Sequence, residues 1–384
     1  MSAVYLDCNA TTPLEPSVAE VVRRFMERDY GNPASPVHDF GTFARMAVEK
    51  ARGEVAEVVS ARRDEVLFTS GATEANNLAI LGLAAHGLAT GRRHIIGTRI
   101  EHKAVLEPLE ALTALGFEVD LLPVGSDGRV CVEELQAVLR PDTLLVTIMH
   151  VNNETGVIQP LAEIAAALEG HPAILHTDAA QGFGKDIFPL QSPRIELISI
   201  SAHKIYGPKG VGALVARKRS GSPLPLRPLM FGGGQEQGLR PGTLPAPLIA
   251  GLGTAARLAS RNHLERNEMN RQFRERAIAA LAPLKPTVNG DPAYALPHAV
   301  NLALHGIPAA RAIDALKDLV AVSSSSACTA GSTETSHVLA AMGVPRCTAE
   351  CSIRLAWSHL TPEPDWAGVV ALLQSIRTEF THGG

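Results

Sequence analysis

The sequence predicts an α/β protein: a mainly parallel, seven-stranded sheet wrapped by helices, joined to a smaller α/β domain. Three observations carry that expectation. The chain has 384 residues, too many for one small core. From about residue 40 to 220, apolar runs of strand length alternate with helix-like segments, the pattern of βαβ units. Several of those runs break into polar or ionisable residues where a parallel strand would end, which is where open α/β sheets bind ligands.

In chain order, a short strand is expected at 4–7 and helices at 40–59, 72–85, 103–115, 132–139 and 161–168. Strands are expected among them at 66–69, 94–98, 118–122, 144–150, 174–177, 197–201 and 211–216. Pro223, Pro225 and Pro228 then mark irregular chain. A helical stretch from 247 to about 282 reads as a bridge to strands at 300–304 and 353–357 and helices at 309–319 and 364–380. The large domain is therefore expected at 13–255, with the smaller one built from 1–12 and 256–384.

Apolar content of 46% and charged content of 19% describe an ordinary globular chain. A net charge of −4 gives no general attraction to nucleic acid or anionic membrane, so direct binding to either is not expected. The N-terminus lacks a basic region followed by an apolar core, and the apolar run at 78–89 contains Gly and His and is too short to span a bilayer. These features predict a cytoplasmic protein. Five sparse cysteines (Cys8, Cys131, Cys328, Cys347, Cys351) argue against a disulfide framework. Cys347 and Cys351 have no second pair to complete a zinc site; they are expected to be buried and structural, and no metal is predicted.

The chemistry gathers at strand ends. Asp178 closes one apolar run, and Lys204, in Ser201-Ala202-His203-Lys204, follows the next, 26 residues later. An acid and a lysine in one crevice suit pyridoxal 5'-phosphate (PLP), with the lysine as Schiff-base partner and the aspartate on the pyridinium nitrogen. Alone, the pair reads equally well as a strand-end ion pair. Ser70-Gly71-Ala72-Thr73 is a turn into a helix whose N–H groups suit phosphate, a weak signal by itself. His102 also sits between a strand and a helix, where a lone histidine is more often structural. Asn152, Asn153 and Gln181 add hydrogen-bonding groups at neighbouring ends. Gly232-Gly233-Gly234 completes no dinucleotide fingerprint, and no Walker-type loop is present.

Together these residues are specific. LDCNATTP (6–13), FTSGATEANNLAI (68–80), EHKAVL (101–106), MHVNNETG (149–156), HTDAAQ (176–181), SAHKIYGPKGVGAL (201–214), GGGQEQGLRPGTLP (232–245), SSSSACTAGS (323–332) and CSIRLAW (351–357) make the chain resemble the cysteine desulfurases of the NifS/IscS kind. The resemblance spans almost the whole length. It implies the aspartate-aminotransferase fold (fold type I) with PLP as cofactor, L-cysteine as substrate, a homodimer and a sulfur-acceptor protein as partner.

Residue by residue, the resemblance makes Lys204 the Schiff-base lysine and Asp178 the partner of the ring nitrogen. His102 would stack on the ring, and Asn153 and Gln181 would bond its oxygen. Ala72, Thr73, Ser201 and His203 would hold the phosphate, completed by Thr243 from a second subunit. Arg354 would clamp the substrate carboxylate with Asn32 beside it. Cys328, in a long small-residue loop, matches the sulfur-accepting cysteine, whose thiolate is the nucleophile. Gln237, Pro241, Pro36 and Val37 depart from the family pattern and bear on the entrance and acceptor surface. Cys8 beside Asn9 is unusual; packing is the simpler reading, and contact with substrate or sulfur is the other.

The implied reaction is removal of the Cα proton by Lys204, transfer of the substrate sulfur to Cys328 and release of L-alanine. Aminotransfer or selenocysteine lysis on the same fold is the competing enzymatic reading, and a non-catalytic sulfur-handling scaffold is the other. The long Cys328 loop disfavours aminotransfer, while intact Lys204, Asp178 and His102 disfavour a scaffold. For the acceptor pathway, the short stretch after the last expected helix, with LDCNATTP and ACTAGSTETSHVLAAMG, looks like the desulfurases of DNA phosphorothioation (Dnd) systems. Sulfur supply to iron–sulfur clusters or to tRNA thiolation is the alternative.

Overall fold

The computed structural model describes residues 3–35, 37–324 and 335–382. A two-stranded parallel ladder joins β1 (Val4–Tyr5) to β11 (Val320–Ala321). The large sheet is built from β2 (Val66–Thr69), β3 (His94–Thr98), β4 (Glu118–Leu122), β5 (Thr143–Thr147), β6 (Ile174–Asp178), β7 (Leu197–Ser201) and β8 (Gly212–Ala216), ordered β2-β8-β7-β6-β5-β3-β4. Only β8 runs against the others. A second sheet is antiparallel, ordered β12-β13-β10-β9, with β9 (Thr287–Val288), β10 (Ala299–Ala303), β12 (Ser323–Ser324) and β13 (Ser352–Ala356).

The large sheet is covered on both faces, as near-continuous apolar strands require. Successive residues point to opposite sides. Phe68, Ile96, Val146, Leu175, Ile198 and Val215 enter one buried cluster, and Leu67, Ile95, Leu145, Ile174, Leu197 and Leu214 enter the other. The first face is closed by the helix Asp39–Val58, whose Ala44, Val48, Ala51 and Val55 recur at helical spacing, and by the start of the 36-residue helix Ala246–Leu281. Ile249, Leu252 and Ala256 of that long helix belong to the large-sheet core, while Phe273, Ala277 and Leu281 belong to a separate core under the second sheet. Leu6 joins this second core, and Trp357, fully buried there, donates Nε1–H to Asn270 O at 3.1 Å.

Several expectations need correction. The helix expected at 72–85 is two, Ala72–Leu81 and Ala84–Thr90, because residue 227 packs into the break: Arg227 N donates to Gly82 O, and a Cβ on Gly82 would lie 3.1 Å from Arg227 O. A helix at Pro16–Glu27 was not expected; only Val18 and Val22 of its twelve residues are buried, a thin apolar stripe. Cys347 is exposed on the short helix Arg346–Glu350 and Cys351 only partly buried, against the expectation of buried structural thiols. Among the described residues, no helix is long and apolar enough to cross a membrane.

Candidate active site

The strand directions decide where the polar residues meet. β6 and β7 are adjacent and parallel, with Asp178 opposite Ser199, so Asp178 and the turn Ala202–Lys204 leave the sheet at the same rim. β2 reaches that rim too, because β8 is inserted in reverse between it and β7. Gly212, where β8 begins, lies opposite both Thr69 and Ser201; a Cβ there would stand 2.3 Å from Ile200 O and 2.6 Å from Gly71 Cα. Only glycine lets the Gly71 turn and the end of β7 close up in this way.

The rim encloses a cavity of about 600 Å³. Of the residues singled out from the sequence, Ala72, Thr73, His102, Asn153, Asp178, Gln181, Ser201, His203, Lys204 and Arg354 all line it. Asp178 is 6% exposed; Oδ2 accepts from Asn76 Nδ2 at 2.7 Å and Oδ1 from Ala180 N at 2.9 Å. Lys204 Nζ donates to the carbonyls of Asn9 and of Ala10, the latter at 2.9 Å. Gln181 Nε2 donates to Asn9 O at 2.9 Å. His102 caps the helix Lys103–Thr113, its Nδ1 accepting from Ala104 N at 3.1 Å. Burial, with the charges of Lys204, Lys209 and Lys185 behind it, pushes His203 down to about 4, so its ring is neutral at pH 7. Its Nδ1 lies 3.2 Å from Thr11 Oγ1.

The opposite wall comes from the second sheet and the N-terminal segment. Arg354, on β13, is 2% exposed. Its Nη2 donates to Asp7 Oδ1 at 2.6 Å and its Nη1 to Asn153 O at 3.0 Å. Asn9, between the walls, donates Nδ2–H to Asn153 O at 3.0 Å.

Asn32 and Thr243 do not line this cavity. Asn32 is exposed and spends Oδ1 on the N–H of Ala34 in a local turn, instead of standing beside Arg354. Thr243 is exposed on the same chain. Cys328 lies outside the described residues, as does Pro36. Gln237 adopts φ 59° and donates to Asp64 O, and Val37 is 86% exposed, so both departures from the family pattern are on the surface. Cys8 is buried at 2% exposure and its thiol is pushed up to about 11 by that burial, the behaviour of a packing residue.

Sequence reasoning missed Asn76 and Asp7. Asn76 is fully buried among the apolar Ala75, Leu78, Ala79 and Ile80 of its helix, and that polar exception on the buried face was a usable signal. Asp7 carried none, since the partners of its carboxylate, Ser323 and Arg354, lie more than 300 residues away in sequence. Among the described residues, no group of three or more His, Cys, Asp or Glu side chains is placed to hold a metal.

The chain is similar to known proteins over most of its length. The aminotransferase class-V model matches residues 4–356. Cysteine desulfurase IscS of Methylococcus capsulatus is 44% identical over 372 residues, covering 97% of this chain and 91% of the relative. The crystal structure of DndA from Streptomyces lividans is 50% identical with a TM-score of 0.80, over 91% of this chain and 98% of that one. A structure of SspA in complex with cysteine is 35% identical with a TM-score of 0.81, over 92% of this chain and 99% of the other. A strand-end aspartate, a lysine on the next turn and a match from residue 4 to 356 lead to one conclusion: the chain belongs to the class-V aminotransferase family.

Proposed function

We infer that this chain is a PLP-dependent L-cysteine desulfurase that releases L-alanine and passes sulfur, as a persulfide on Cys328, to an acceptor protein. The observation that carries the reading is a single cavity holding Asp178 and Lys204 at neighbouring strand ends with the buried Arg354 across from them. The residues present fit the cofactor. The helix Ala72–Leu81 opens on Gly71 without a side-chain cap, which leaves its first N–H groups to a phosphate. Asn9 Oδ1 and Gln181 Oε1 are buried without a protein partner, as groups that meet a ligand are.

When bound, PLP supplies a sink for charge developed at the substrate Cα. Asp178, fixed by Asn76, holds a proton on the ring nitrogen, and His102, Asn153 and Gln181 orient the ring. Ala72, Thr73, Ser201 and His203 take the phosphate. A neutral His203 does so by donating Nε2–H, with Nδ1 turned to Thr11. Lys204, as free amine, takes the Cα proton. Arg354 holds the carboxylate. The Cys328 thiolate attacks the substrate sulfur; an S–S bond forms, the carbon–sulfur bond breaks with its electron pair left on carbon, and protonation there gives alanine.

The protein is read as a cytoplasmic homodimer in which Thr243 of a second copy completes the phosphate site. Exposed Tyr30, Phe40, Phe43, Met46 and Phe231 support an interface between copies. The two separate cores support a division into 13–255 and the remainder. The acceptor is read as a member of a DNA phosphorothioation system, supported by the 50% identity to DndA. The test is to supply PLP, L-cysteine and a thiol reductant that releases the persulfide sulfur as sulfide, and to assay alanine, sulfide and a visible absorbance band that borohydride bleaches. Alanine in step with sulfide is expected; a bound cofactor with no alanine would overturn the reading.

A further inference from the structure

We propose that Asp7 is a positioning residue that sets the affinity of the site for the substrate carboxylate, by fixing one edge of the Arg354 guanidinium and offsetting its charge. The inference rests on the reading of Arg354 as the carboxylate clamp. At 2% exposure, Arg354 is too deep to carry its charge uncompensated. Among the described residues, Asp7 is its salt-bridge partner, at 2.6 Å. Of the other ionisable groups, Lys204 and Asp178 share the cavity, with the Asp178 oxygens bonded to Asn76 and Ala180 and not to Arg354, and His298 is kept neutral by burial, with the charges of Lys185 and Arg354 adding to that effect.

The backbone fixes this arrangement. Asp7 forms a parallel bridge with Ala356, two residues beyond Arg354, and Tyr5 Oη donates to Asp7 O at 3.0 Å. Ser323 lies directly across β12–β13 from Arg354, and its Oγ donates to the same Asp7 Oδ1 at 2.9 Å. Asp7 and Asn153 O thus engage two of the five guanidinium N–H groups, and the others remain for a ligand. Substrate and product both carry an α-carboxylate. An unopposed buried arginine would hold alanine as firmly as cysteine, and such uniform binding does nothing for turnover. A fixed carboxylate beside the clamp weakens both, which favours release.

The test uses holoenzyme of the unmodified chain and of Asp7→Asn, Ser323→Ala and Arg354→Ala, titrated with L-alanine and with methylamine and followed by cofactor absorbance, with kcat and KM for cysteine measured alongside. Asp7→Asn keeps the acceptor oxygen but removes the charge. It should tighten L-alanine by about 5- to 50-fold, lower KM and kcat together, and leave methylamine within about twofold. Ser323→Ala gives Asp7 wholly to Arg354 and should loosen alanine by about two- to fivefold. Alanine affinity unchanged or weakened in Asp7→Asn, or methylamine tightened equally, overturns the role of Asp7 while Arg354→Ala still weakens alanine. Unchanged alanine affinity in Arg354→Ala overturns the clamp and this inference together. Should Asp7→Asn fail to fold, Ser323→Ala decides: unchanged or tightened alanine refutes the proposal.

Discussion

The two walls of the cavity are built by different means. The wall proposed for the cofactor consists of strand ends of one sheet, where Asp178, Ser201 and Lys204 are placed by neighbouring parallel strands within 27 residues of chain. The wall proposed for the substrate carboxylate joins Asp7 to Arg354 across a separation of 347 residues, through a short bridge and a small antiparallel sheet. The first wall inherits its rigidity from a sheet buried on both faces; the second depends on one ion pair and its hydrogen bonds. Cofactor chemistry therefore sits on the stiffer side, and adjustment of affinity sits on the side that a single substitution can retune.

Substitutions can break that contrast. The largest effect is expected from Lys204→Ala on the cofactor wall: alanine production and the borohydride-sensitive band should both be lost in a folded protein. Turnover retained would remove Lys204 from the chemistry. On the other wall, Arg354→Ala should keep the band but lose a charge-assisted bidentate pair, at about 2–4 kcal/mol, or roughly 30- to 1000-fold in kcat/KM for cysteine. If that variant lost the band as well, the two walls would not be separable.

A smaller effect concerns stability beneath the cofactor wall. Glu101 is fully buried, with Oε1 accepting from Met149 N at 2.8 Å and from Thr98 Oγ1 at 2.9 Å, and burial pushes its carboxyl up to about 8. Between the ordinary 4.5 and about 8, the folded chain keeps a proton that the unfolded chain has released. Glu101 therefore makes stability fall as pH rises through that window, with no further loss above it. Glu101→Gln should lessen the drop in Tm between pH 5 and pH 8. An equal drop in both proteins would assign the carboxyl an ordinary pKa.

The contrast between the walls also explains what the sequence disclosed. Asp178, Lys204 and His102 stand where an apolar run gives way to a turn, a signal contained in a window of ten residues, and all three line the cavity. The alternation that fixed the large sheet is equally local. Arg354 was identifiable only through CSIRLAW as part of a family pattern, and Asp7 not at all, because neither sequence neighbourhood records the other. The break at Gly82 has the same origin, a contact with residue 227 that no helical periodicity encodes. Asn32 shows the reverse limit: the family resemblance puts it beside Arg354, but a local turn uses its side chain.

Sulfur should leave cysteine for this chain's own Cys328. The direct measurement is mass spectrometry of the holoenzyme after a single turnover with L-cysteine, compared with Cys328→Ser, which should still bind PLP and cysteine. The Cys328 peptide should gain one sulfur, equal in amount to the alanine released, and the serine variant none. The same gain on Cys8, or alanine formed at an undiminished rate by Cys328→Ser, would contradict that transfer.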